Sequence, residues 1–334
     1  MSRRQDETIS LSEANANYVA YEDISRALSS YPDTILEIEL LGKSHLLPQG
    51  TSLLQDGHCI AVPKSKLLQA FIVARKIFFT IRQNGRLDEE QNLRHATAVI
   101  LLLDSEHQTA ANSRKRLIQL QMREDRGKSR AILEAELCWV NGYLTSHLHR
   151  HTKSPVLWGH RRWLVEQTMS LGQKPNILQD LKMVVFKAAE RHPRNYYAWS
   201  HLRWLLDHQL DSGNSENRWS KFFPDFQEIT TIVQDWCLNH PWDTSGFSFL
   251  LFFLTRSESK QLMISVFSAI LKVTIAYNWA YESVWMFLRT MATLDEVDFG
   301  VERTISAIQE ITLAQPDTVN SLQNVQKWLS KQNR

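Results

Sequence analysis

Trp-x-His-x-Arg-Trp is written twice in this chain, 41 positions apart. The stretch "SPVLWGHRRWLVEQ" (154–167) superposes on "NYYAWSHLRWLLDH" (195–208), with Trp158 on Trp199, His160 on His201, Arg162 on Arg203 and Trp163 on Trp204. A chain that sets its largest apolar side chain and a long cation in one register more than once is built from a repeated unit. Extending the aromatic column aligns Asn112, Trp158, Trp199, Phe247 and Trp285, at intervals of 46, 41, 48 and 38 residues. The position four residues on reads Arg116, Arg162, Arg203, Leu251 and Arg289. Copies two, three and five therefore keep the Trp-x-x-x-Arg pair, and copies one and four have lost part of it.

Residues i and i+4 lie one above the other on a helix, so each pair shares a face. The guanidinium is expected over its own indole, with donors reaching the neighbouring unit. The aromatics are expected to fill the wedge between units, so Trp158, Trp199, Phe247 and Trp285, with Arg162, Arg203 and Arg289, read as the structural core of the repeats.

Each such segment follows a helical stretch. In "AILEAELCWVNGYL" (131–144) apolar residues fall at 132, 135, 139 and 143 and again at 133, 137, 140 and 144, which predicts a helix covered on two sides. "ILQDLKMVVFKAAERHP" and "DFQEITTIVQDWCLNHP" repeat the idea, each stopped near a proline. The unit is thus a helical hairpin. With only 11 Gly and 9 Pro in 334 residues, the turn density of an all-β fold is missing. The expected fold is all-α, an α-α superhelix: a solenoid or crescent of antiparallel helical hairpins. Its expected divisions are an N-terminal helical and irregular segment at 1–87, five hairpin repeats at 88–292 and C-terminal capping helices at 293–334. Within the first, a helix should end near Tyr31-Pro32, "LGKSHLLPQGTSLLQDGHCIAVPKS" reads as an irregular connection, and "KLLQAFIVARKIFFTIRQ" reads as an amphipathic helix. The hydrophilic "DSGNSENRWSKFFPD" (211–225) reads as a loop between units three and four.

Charge narrows the function. Lys and Arg (38) nearly balance Asp and Glu (36), so neither nucleic-acid nor membrane attraction follows from bulk charge. Three scattered cysteines and the lack of an export or lipid-anchor signal predict a cytoplasmic protein. No phosphate-binding glycine loop, His-Glu-x-x-His, zinc-spaced Cys/His set or nucleophile elbow occurs. "HLHRH" places His147 and His151 four apart, but no carboxylate or cysteine is near in sequence, so no metal site is expected. Between Glu136 and Glu166 there is no acid, whereas Arg150, Lys153, Arg161, Arg162 and four histidines accumulate; Arg191, Arg194 and Arg203 do so between Glu190 and Asp207. A basic rim is expected there.

Five units on a Trp-x-x-x-Arg core, with "HRRWL" and "HLRWLL" among them, resemble the repeats of protein prenyltransferase α subunits. The resemblance implies a helical crescent wrapped around an α/α-barrel β subunit that carries the zinc and the isoprenoid cavity, with no cofactor in this chain and an isoprenoid diphosphate as co-substrate. It implies further that Lys153, five residues before Trp158, approaches that diphosphate. The family follows this lysine with Asn-Tyr, where this chain has Ser154 and Pro155; the next copy keeps Asn195 and Tyr196, so Tyr196 is the expected hydroxyl donor. Arg161, Arg194 and His201 are the expected basic rim. The partner implied is a prenyltransferase β subunit of the type used for Rab proteins. The implied reaction is geranylgeranyl transfer to a C-terminal cysteine of a cytosolic protein such as an R-SNARE. A helical-repeat adaptor that binds proteins on a concave face is the alternative.

Overall fold

A computed structural model of the chain describes residues 2–42, 45, 47–84, 89–210, 226–257, 259–297, 299–314 and 319–332. The segment 211–225 lies outside them. The chain divides into two compact units, residues 1–201 and 202–334, at a boundary inside one helix.

In the first unit, α1 (Ser2–Ala27) packs on α2 (Lys64–Asn84), and α2 packs on α3 (Glu90–Leu103). The expected amphipathic stripe is present: Leu67, Ala70, Ala74, Phe78 and Ile81 of α2 are buried, at the spacing of one helical face. Three paired layers then follow along the chain, α3 with α4 (Gln108–Glu124), α5 (Ser129–Leu144) with α7 (Pro155–Ser170), and α8–α9 (Ile177–Asp180, Phe186–Arg191) leading into α10 (Tyr196–Leu210). Contacts run from each helix to its neighbours in sequence, α4 to both α5 and α7, and the one-turn helix α6 (His149–Thr152) to α9. That is the nearest-neighbour pattern of a helical solenoid. The helix expected over 177–191 is interrupted by a π turn at Leu181–Val185.

One expectation is corrected. The stretch read as an irregular connection (41–65) contributes β2 (Leu54–Asp56) and β3 (Cys59–Pro63), which join β1 (Glu37–Leu41) just before it in a small sheet of order β1-β3-β2. β1 pairs parallel with β3, and β2 antiparallel with it. Ile38, Ile60 and Val62 are buried, so short strands with a half-apolar pattern suffice when helices cover one face. The segment before β1 lies tight on α5: a Cβ at Gly142 would sit 3.0 Å from the Leu36 carbonyl oxygen and 3.2 Å from its nitrogen, which is why a glycine stands there.

The second unit has the same construction. α11 (Phe226–Asn239) packs on α12 (Thr244–Leu254), α13 (Lys260–Ala276) on α14 (Glu282–Ala292), and α15 (Gly300–Ala314) on α16 (Val319–Gln332), with α12 against α14 and α14 against α15 and α16. No described helix is long and apolar enough to cross a membrane.

Candidate functional site

The aromatic column is buried: Trp158 is 2% exposed, Trp199 1%, Phe247 2% and Trp285 1%. Beyond filling space, two of the indoles hold turns. Trp158 Nε1 donates to the Thr152 carbonyl at 2.9 Å, and Trp285 Nε1 donates to the Trp279 carbonyl at 2.7 Å, six residues upstream in both cases.

The arginine column reaches forward rather than onto its own indole. Arg162 donates to Ser200 Oγ at 3.2 Å, and Arg203 donates to Ser248 Oγ at 2.8 Å. Each acceptor is the residue directly after the aromatic of the next copy. In the last copy the Arg289 guanidinium lies 4.7 Å from the centre of the Trp328 ring.

A third set of contacts was not visible in the repeats, and it carries the buried charge. Arg114 on α4 grips Glu136 on α5 through two bonds of 2.6 and 2.7 Å, and its guanidinium lies 3.6 Å from the centre of the Trp139 ring. His160 Nε2 meets the same carboxylate at 2.9 Å, and Arg94 stands 3.8 Å from it. One repeat later, Arg161 on α7 donates to Asp180 on α8 at 2.7 Å and to Asn141 Oδ1 at 2.8 Å, with His201 against the same guanidinium. An arginine from one repeat thus pairs with an acid on the first helix of the next, and a histidine on the second helix closes the set. The acids precede their histidines by 24 and 21 residues, a recurrence readable in the sequence once the histidine column is taken as the anchor. Burial pushes the Glu136 carboxyl up, but the Arg114 charge and the bonds from His160 and Arg114 outweigh it and hold the group well below the carboxylate range. Asp180 is held low in the same way by Arg161 and His201.

This corrects the expected rim. Arg161 (2% exposed) and His201 (0%) face inward; Arg161 is engaged by Asp180, Asn141 and His201, so neither is offered to a diphosphate. His151 is also interior, its Nε2 2.9 Å from the Leu101 carbonyl oxygen, whereas His147 is exposed; the two do not converge. No cluster of three or more metal-ligating side chains occurs among the described residues.

Those buried histidines set a pH dependence. Burial first, and then the Arg161 charge, pushes His201 down to about 4 from 6.5; burial does the same to His151. The unfolded chain then binds more protons than the folded chain between these values, so stability rises with pH across that window. Glu136 and Asp180, with folded values below their unfolded ones, act in the same sense at lower pH. Urea unfolding is expected to show stability falling steadily as pH drops from about 6.5 towards about 4. A flat profile there contradicts neutral, interior imidazoles.

What remains on the surface is the edge formed by the helix-to-helix turns. Lys153 closes α6 and is exposed. The carbonyl directly before it, that of Thr152, is held from two sides, by Trp158 Nε1 at 2.9 Å and by Asn195 Nδ2 at 2.8 Å. Ser154, directly after it, caps α7 by accepting from Leu157 N at 3.1 Å and donates to the Ser105 carbonyl at 2.9 Å. Ser154 therefore does for copy two what Asn195 does for copy three: it caps its own helix and bonds the preceding turn. Pro155 takes the first helical position, where its missing N–H costs nothing. In the second unit Ser283 Oγ also donates back to an earlier turn, at the Pro241 carbonyl, though it does not cap its helix.

Near Lys153 in sequence, His149 meets His192 of the following repeat, their Nδ1 atoms 3.4 Å apart. Burial, and next the Lys153 and His149 charges, lower the His192 pKa, which puts the ammonium within electrostatic reach of that imidazole. Arg194 is exposed and adopts φ +60 in the turn. Tyr196 is 61% exposed. The turn edge therefore gathers one ammonium and two imidazoles on a backbone fixed from both sides. Such a group can receive a multiply charged oxyanion and can add protons as charge builds on it.

Comparison with known protein families matches residues 157–274, from α7 into α13 and about a third of the chain, to the ECM9 middle domain. No curated protein matches the chain in sequence.

Proposed function

We propose that the chain is the α-type subunit of a heterodimeric protein prenyltransferase. It scaffolds a β subunit of the Rab geranylgeranyltransferase type, which supplies the zinc and the isoprenoid cavity, and the pair transfers a geranylgeranyl group from its diphosphate to a C-terminal cysteine of a cytosolic protein such as an R-SNARE. The observation that carries the reading is Lys153: exposed, with its charge acting on His192, and directly after the Thr152 carbonyl that Trp158 and Asn195 clamp. Loss of diphosphate builds negative charge on oxygen, and a fixed ammonium stabilises that charge more in the transition state than before it. Tyr196, one repeat on and exposed, is the hydroxyl that completes the anionic subsite. The isoprenoid length follows from the family likeness rather than from residues of this chain.

Co-expression with such a β subunit tests the reading. A stable one-to-one complex, active on a peptide ending in cysteine with geranylgeranyl diphosphate, is the expected result. A chain that stays monomeric and purifies without the β subunit contradicts it and leaves the non-enzymatic adaptor as the better account.

A further inference from the structure

An open cavity of about 670 Å³ lies within the first unit, walled by α5, by α8 to α9 and by the segment that enters β1. Lys153, His149 and His192 are not among its lining residues. Its volume falls in the range of ligand sites. Its charges are sorted by wall. Asp33, Glu37 and Glu134 stand on the side of the entering segment and the first part of α5. Lys187 and Arg191 stand on α9, with His147 just beyond the end of α5.

The two sets do not neutralise each other. Among the described residues, Asp33, Lys187 and Arg191 make no ion pair within 4.0 Å, and Glu134 is engaged only by Arg130, at 2.7 Å. The floor contributes no net demand, because Arg161 there is already matched to Asp180 and Asn141. The Cys138 thiol between the walls is pushed up by burial and then by Asp33 and Glu134, so it is a neutral surface and not a nucleophile. Gly142 lets the Leu36 backbone lie directly on α5, and the π turn at Leu181–Val185 sets Met183 and Val184 into the opposite wall. Single π turns inside helices are frequent at functional positions.

We infer that this cavity binds a peptide segment carrying a basic side chain and, a few residues away, a carboxylate. A simple anion or cation satisfies one wall and is opposed by the other. An extended peptide advances about 3.3 Å per residue and can present opposite charges to the two walls at once.

The test uses the full chain alone, without any β subunit, so its outcome is independent of the prenyltransferase reading. Fluorescence anisotropy is followed with a short fluorescein-labelled peptide that has lysines at one end and glutamates at the other. Saturable binding that weakens with added salt is expected, with all-lysine and all-glutamate peptides of the same length binding less well. The double variant Lys187→Glu, Arg191→Glu should weaken the mixed peptide about tenfold or more, and Asp33→Asn with Glu134→Gln should weaken it as well. Lack of saturation, equal binding of the three peptides, or unchanged affinity in both folded double variants overturns the inference. Thermal unfolding checks the variants, and if one fails to fold, the three peptides on the native chain still decide.

Discussion

Glu136→Ala is expected to lower the stability of the first unit by about 3–5 kcal/mol, the range for removing one partner of a buried charge pair. Glu136 is 1% exposed, and its carboxylate is the common acceptor for two Arg114 nitrogens and His160. Without it the Arg114 guanidinium keeps the Arg94 carbonyl at 2.9 Å, the Thr97 hydroxyl at 3.2 Å and the Trp139 ring, with no carboxylate to match its buried charge. In a domain of this size, that loss corresponds to roughly 6–20 °C in melting temperature. Calorimetric melting of the full chain measures the shift. Glu136→Gln, which keeps an acceptor and the volume, should cost less. A loss below about 1 kcal/mol for the alanine variant would mean that the charged set is incidental to folding.

Lys153→Ala should behave in the opposite way. The side chain is exposed and its backbone is held by Trp158 and Asn195, so folding and assembly with a β subunit are expected to be unchanged. Turnover of the heterodimer is expected to fall ten- to a thousandfold, the order of losing one charge-stabilising donor. Lys153→Arg should recover part of it. Unchanged turnover in a fully assembled Lys153→Ala complex would remove the residue from the chemistry while leaving the subunit assignment standing.

The helical pairs were legible because their signals are local. Apolar spacing fixed the faces of α2 and α5, and the aromatic column announced its own burial through size. Rotation by 100° per residue around a helix explains why the reading of Arg161 went astray beside Arg162. Arg161 was expected on the basic rim, yet it turns inward to Asp180, whereas Arg162, expected in the repeat core, reaches Ser200 in the next copy. Glu136 and Asp180 escaped notice for a different reason. A single acid in an apolar helix resembles a solvent-facing position, and the arginine that matches it stands 22 residues away for Glu136 and 19 for Asp180, on a helix of the preceding repeat. Only stacking brings them together. The departure at Ser154-Pro155 was visible but its meaning was not, since a serine can replace an asparagine only where the neighbouring carbonyl, here that of Ser105, comes within reach.

The bonds from Ser154 to Ser105, from Asn195 to Thr152 and from Ser283 to Pro241 all point the same way, from a later turn to an earlier one. In a chain made from its N-terminus, the Thr152 carbonyl can therefore be held first by Trp158, and gains its second bond only after Asn195 has been added.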